Sequence, residues 1–141
     1  MPAVSIVMTS YNYAAYIGEA MASVVAQTWT DWELLVVDDG SKDASVAVVE
    51  QFAGQDARIR LLRHPDHGNH GLVASLRLGL EAATSPLLAF LESDDAWQEN
   101  CLERRLQAFS QYQADVVFNA AVAVPMGQCA IRRIRRYLEN M

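Results

Sequence analysis

Short runs rich in Val, Ile and Leu alternate along the chain with longer amphipathic stretches, and this rhythm limits the fold more than any other feature of the sequence. Strand-like and helix-like segments in alternation build βαβ units, with a mainly parallel sheet flanked by helices. The runs predict strands over residues 4–8, 33–37, 59–63, 87–91 and 115–118. The stretches between them predict helices over 14–27, 44–53, 72–83 and 100–112. Asp43 or Ser41 is placed to cap the second helix, and Thr84-Ser85-Pro86 to end the third. With 141 residues, 52% of them hydrophobic, the chain can bury a core of its own. It carries no repeat and no low-complexity linker.

Charge narrows the partners. The formal net charge of -6 argues against nucleic acid, because a polyanion is bound by surfaces that neutralise phosphates. Lys42 is the only lysine, while Arg132, Arg133, Arg135 and Arg136 crowd near the C-terminus. That cluster reads as a solvated helix face or as a patch for an anionic membrane surface. The first residues lack the pattern of a secretory signal, and no segment reaches the ~20 apolar residues of a transmembrane helix. A cytoplasmic location is expected, peripheral at the inner face of the membrane if the arginines act there. Cys101 and Cys129 have no CxxC spacing and read as reduced thiols without a catalytic part.

In open parallel sheets ligands gather beyond the carboxyl ends of the strands, so polar residues there carry the chemistry. Three expected strand ends stand out: Thr9-Ser10-Tyr11-Asn12, Asp38-Asp39-Gly40-Ser41 and Glu92-Ser93-Asp94-Asp95. The tyrosine can stack on a nucleobase and Thr9 can bond its edge, whereas Tyr13 and Tyr16 read as packing residues. The aspartate pair either caps a turn or accepts bonds from base N–H and ribose hydroxyls. Clustered carboxylates at a strand end repel unless a proton or cation intervenes, and Mg²⁺ or Mn²⁺ held by one or two of them would take substrate phosphates as further ligands. His64, His67 and His70 lie among Pro65, Gly68 and Gly71, which reads as a loop over the pocket rather than a zinc site.

Taken in order and at their spacings, "VSIVMTSYN", "ELLVVDDGSKD", "NHG" and "FLESDD" resemble a family 2 glycosyltransferase of the GT-A fold, over residues 3 to 120. The resemblance implies a nucleotide-diphosphate sugar donor, a UDP-sugar by family frequency, and a glycan, lipid or protein acceptor. It further implies a Mn²⁺ or Mg²⁺ cofactor, inversion at the anomeric carbon and a place in cell-envelope polysaccharide biosynthesis. The family's base-binding positions fall on Thr9, Tyr11 and Asp39. Its DxD motif falls on Glu92, Ser93 and Asp94, making Asp94 the metal ligand and Glu92 a ribose or metal contact.

Departures from the family pattern qualify that assignment. Glu92 stands where aspartate is usual, and its extra methylene moves the carboxylate by about 1.5 Å. Arg77 stands where many members carry asparagine, and its guanidinium suits a phosphate or base oxygen. The family's general base belongs to a segment expected beyond residue 141. Residues 1–120 are therefore expected to form the nucleotide-sugar-binding subdomain of a fold incomplete at its C-terminus, and 121–141 to begin the acceptor half. Apolar surface left uncovered would favour a homodimer. A nucleotide-binding fragment without turnover is the alternative. A phosphoacceptor receiver domain fits poorly, because its acidic pair belongs after the first strand and no lysine follows Lys42.

Overall fold

The computed structural model describes residues 2–117 and the short segments 122–123 and 132–133. The chain divides into two compact units, Met1–Glu103 and Arg104–Met141. In the first, β1 (Val4–Ser10), β2 (Trp32–Asp38), β3 (Ile59–Arg63) and β4 (Leu88–Phe90) form one sheet in the order β3-β2-β1-β4. All its pairings are parallel, as the alternation of apolar runs and amphipathic stretches demands. Helices α1 (Ile17–Val25), α2 (Ser45–Gln55) and α3 (Leu72–Ala82) make the crossovers, and α4 (Cys101–Tyr112) follows β4.

The two central strands are buried over nearly their whole length, which is why β2 reads as a continuous apolar run rather than an alternating one. Ile17, Ala20, Met21 and Val24 of α1 supply a buried helical stripe at the 3.6-residue period. Helix α3 comes closer to the sheet than a larger side chain would permit: a Cβ on Gly79 would stand 2.5 Å from Val7 Cγ1 and 3.2 Å from Val37 Cγ2. Gln27 ends the α1 crossover and holds the start of α4. Its Oε1 accepts the Leu102 N–H at 2.9 Å and its Nε2 donates to the Gln98 carbonyl at 2.8 Å.

At the amino edge of the sheet, Glu33 closes a polar latch. Its Oε1 accepts the Ser5 hydroxyl at 2.6 Å, the Thr84 hydroxyl at 2.7 Å and the Thr84 N–H at 2.8 Å. The Thr84-Ser85 turn expected to end the third helix thus also ties the chain back to β1 and β2. Burial pushes the Glu33 carboxyl up, but these hydrogen bonds, with the Arg60 charge, outweigh it and hold the group below its ordinary 4.5.

Several boundaries differ from the sequence expectation. Strands β1 and β2 run on to Ser10 and Asp38 because these residues still pair in register. Helix α1 starts at Ile17 and not at 14: residues 14–16 form a turn before it, and the N–H groups of Tyr13 and Ala14 donate to Ser45 Oγ and Asp43. The strand expected over 115–118 is not one at residues 115–117. Val116 is 62% exposed there, so the short apolar run does not face a core, and Phe118 lies outside the described residues. Arg132 and Arg133, read as part of a helix face, form β6 (Arg132–Arg133), which pairs antiparallel with β5 (Val122–Ala123). Arg135, Arg136 and Cys129 lie outside the described residues. Cys101 is buried at the start of α4.

Candidate functional site

Strand order reverses at β1: β2 and β3 extend to one side of it and β4 to the other. The carboxyl ends flanking such a reversal splay apart into a crevice. A cavity of about 330 Å³ opens there. Thr9 and Ser10 line it from β1 and Tyr11 from just past it, Asp39 from the residue after β2, and Glu92, Ser93 and Asp94 from the segment that follows β4. Asn69, Gly71, Leu72 and Ser75 close it from the loop before α3 and from that helix, and Tyr13 adds a further wall. Tyr13 therefore does more than the packing expected of it, though its ring also meets that of Tyr16 at a centroid distance of 6.0 Å.

The loops forming the rim are stitched to each other. Asn12, with φ of 57°, turns its side chain to accept the Lys42 N–H at 2.7 Å, while its own N–H donates to Ser41 Oγ at 2.9 Å. The Tyr13 and Ala14 N–H groups donate to Ser45 Oγ and Asp43 Oδ2. Asp43, expected as a helix cap, accepts the Ser45 N–H at 2.9 Å from one residue further out, with Ala44 at the cap position. The exposed Tyr11 is thereby carried on a rim whose backbone donors are largely satisfied.

The two neighbouring aspartates do different work. Asp38 Oδ2 accepts the Gly40 and Ser41 N–H groups, both at 3.2 Å, and so closes its own turn. Asp39 instead reaches across to the loop before α3. Its Oδ1 accepts the His70 N–H at 2.8 Å and its Oδ2 the Gly71 N–H at 2.9 Å. Gly40, at φ of 79°, permits the contact, because a Cβ there would lie 2.7 Å from the Gly68 carbonyl carbon. The histidine-rich segment is a loop at the pocket, and among the described residues no group of His, Cys, Asp and Glu has the arrangement of a preformed metal cluster.

At the end of β4 the electrostatics are unfavourable as they stand. Partial desolvation pushes the Glu92 carboxyl up, and the negative charges of Asp94 and Asp95 push it further. Oxygen donors crowded in this way suit a hard divalent cation that takes one or two carboxylates from the protein and the rest of its shell from waters and phosphate. The donor set therefore fits Mg²⁺ or Mn²⁺. Arg77 is not brought to the cavity lining: it is highly exposed and its Nε donates to Glu81 Oε1, one turn on, at 2.8 Å. The sequence reading placed Ser10 in its first strand-end motif without a role of its own, and passed over Leu72 and Ser75 as site residues. For Ser75 a signal was available, since Ser75 and Gly79, four apart and both small, mark the face of α3 laid against the sheet.

Residues 5–140 match the family model for glycosyl transferase family 2. The chain belongs to that family. This family 2 chain is 40% identical over 103 residues to an Escherichia coli protein named UDP-Glc:alpha-D-GlcNAc-diphosphoundecaprenol beta-1,3-glucosyltransferase WfgD, covering 73% of this chain and 39% of the other. Among solved structures it resembles S. aureus TarS in complex with UDP-GlcNAc, at a TM-score of 0.73 and 23% identity over 79% of this chain and 32% of that one. It also resembles the mannosyltransferase PcManGT from Pyrobaculum calidifontis in complex with GDP-Man and Mn²⁺, at a TM-score of 0.71 and 22% identity over 77% and 32%. At such identities the likeness establishes the GT-A fold. The chain spans 34%, 44% and 33% of the length of three curated relatives it matches, each a glycosyltransferase. No helix among the described residues is long and apolar enough to cross a membrane.

Proposed function

We propose that this chain carries the donor-binding part of a glycosyltransferase that takes a sugar from a nucleotide diphosphate, with a UDP-sugar as donor. The observation behind this reading is the convergence of Tyr11, Asp39 and the Glu92-Ser93-Asp94 segment on one cavity at the strand-order reversal. The Tyr11 ring is exposed on the rim and offers a face on which a nucleobase stacks. A carboxylate has roughly four acceptor positions. Backbone N–H groups occupy one on each oxygen of Asp39, which leaves a fixed acceptor for a base N–H or a ribose hydroxyl. Thr9 and Ser93 border the same cavity as further polar contacts. A complex with UDP-GlcNAc in one neighbour, and the UDP-Glc in the name of one relative, favour uridine.

Asp94 and Glu92 are the residues that would hold the divalent cation, as Mn²⁺ accompanies GDP-Man in another neighbour. Bound there, the ion would offset the charge of the diphosphate as it leaves. In this reading Glu92 and Asp94 serve the diphosphate end of the donor, and Asp39 and Tyr11 the nucleoside end. Inverting displacement needs a base on the acceptor hydroxyl. Asp39, Glu92 and Asp94 are the carboxylates in the cavity lining, and all three are assigned to the donor, so the base is placed outside that lining. The relative named for a diphosphoundecaprenol substrate makes a lipid-linked, cell-envelope glycan the favoured acceptor.

Calorimetric titration of UDP with and without Mn²⁺, on the wild type and on Asp94→Ala, tests the reading. UDP binding that requires Mn²⁺ in the wild type and is lost in Asp94→Ala is expected. Absence of UDP binding in the wild type under both conditions would refute it. UDP uptake without transfer or donor hydrolysis would instead describe a nucleotide-binding segment that does not turn over.

A further inference from the structure

His64 has no part in the site as described so far, yet it lies directly behind it. Its side chain is 9% exposed, at the end of β3, and its Nε2 stands 3.0 Å from Ser75 Oγ and 3.4 Å from Asp39 Oδ1. The His70 ring covers it at a centroid distance of 4.3 Å and is itself bonded to Asp66 Oδ1 at 2.8 Å. The environment settles which nitrogen carries the proton. A bare Nε2 would aim a lone pair at the Asp39 carboxylate, whereas an Nε2–H is attracted to it, so the tautomer protonated at Nε2 is the stable one. That nitrogen then bonds Ser75 Oγ and faces Asp39 Oδ1 at 3.4 Å, linking the residue after β2 to α3 through a side chain just past β3.

We infer that His64 is a positioning residue of the nucleotide pocket, holding the Asp39 carboxylate in the orientation that meets the base. With the His70 N–H on Oδ1, the imidazole set against that same oxygen and the Gly71 N–H on Oδ2, the less crowded acceptor left for a ligand is on Oδ2. Without the imidazole, Asp39 keeps its backbone partners but loses the contact that fixes its rotation, and the loop carrying Asn69 and Gly71 loosens with it. The inference rests on the nucleotide-binding reading for its ligand, not for its geometry.

His64→Gln and His64→Asn separate this role from simple space filling. Glutamine can place an amide N–H where Nε2 stands; asparagine is too short to do so. In the full chain with Mn²⁺, His64→Asn should weaken UDP binding by about tenfold or more, the scale of a lost bond to a charged group, while His64→Gln stays within about threefold. In the absence of nucleotide, solvent exchange of the His70 and Gly71 amides, read by NMR, should quicken by about tenfold in His64→Asn and revert in His64→Gln. Unchanged exchange and affinity in His64→Asn would overturn the inference, as would equal losses in both variants. Wild-type protein that takes up no UDP refutes the nucleotide reading, and the two exchange rates still decide whether His64 holds Asp39.

Discussion

A single methyl group added to α3 tests how the site is supported, because the same change in α2 should act with the opposite sign. Gly79 lies inside α3, so replacement by alanine gains about 1 kcal/mol of helix propensity. Against this stands the collision of the new Cβ with Val7 Cγ1, at 2.5 Å where carbon atoms normally sit about 3.5–4.0 Å apart. Val7 is buried and β-branched, so it has no free rotamer to retreat to, and the helix must rise by about 1 Å. Overpacking of this kind costs about 1–3 kcal/mol. Taking the upper part of that range, Gly79→Ala should lose about 2 kcal/mol net, or roughly 7 °C in thermal midpoint for a chain of this size. Gly54, near the end of α2, has nothing within 4 Å of a built Cβ, and Gly54→Ala should gain up to about 1 kcal/mol. Thermal unfolding followed by circular dichroism gives both values. Because Leu72 and Ser75 of α3 wall the cavity, Gly79→Ala should also weaken UDP binding, and Gly54→Ala should not. Equal midpoints, or a more stable Gly79→Ala, would show that α3 does not lie this close to the sheet.

Two further predictions concern carboxylates. Glu33 has a depressed folded-state pKa, so its stabilising contribution is present above the ordinary 4.5 and is lost as pH falls below it through the folded value. Glu33→Gln should flatten acid unfolding in that window, as read by denaturant midpoints across pH, and an unaltered profile would count against the latch. Glu92 has the opposite shift, so its ionisation destabilises the fold as pH rises through and above 4.5, and Mn²⁺ should bind less well as pH falls through the same range. Glu92→Gln should therefore raise the metal-free thermal midpoint while lowering Mn²⁺-dependent UDP affinity. A fall in both would mean that the side chain is needed for packing rather than for charge.

The sheet was legible because burial on both faces imposes a simple pattern, carried by the apolar runs Ile6–Met8 and Leu34–Val37. Helix starts were less so. Residues 14–16 look helical by composition but form a turn, and the Tyr13 and Ala14 N–H groups are bound by Ser45 and Asp43, some 30 residues away, which no local pattern encodes. The short run at 115–117 shows the converse error, since apolar character without a partner strand does not make a strand. In the site, the residues expected from motifs gathered at one cavity, except Arg77, whose nearest opposite charge is its own helix neighbour Glu81. His64 could not have been read from sequence at all, because its meaning lies in two contacts from separate elements.

The adjacent aspartates illustrate why a motif becomes a site only through its surroundings. Asp38 is the last residue of β2 and Asp39 the first beyond it, and their side chains find different partners. Asp38 is 1% exposed; its Oδ2 is taken by its own turn, with Arg63 Nε 3.8 Å away, while its Oδ1 is buried with no hydrogen-bond partner among the described residues, so its task is structural. Asp39 meets amides from a loop some 30 residues further on, and those amides belong to the segment that closes the cavity over it. One carboxylate thus both assembles the pocket wall and faces what enters it. Removing that carboxylate should therefore cost more ligand affinity than one lost hydrogen bond accounts for, because the loop is released along with the contact.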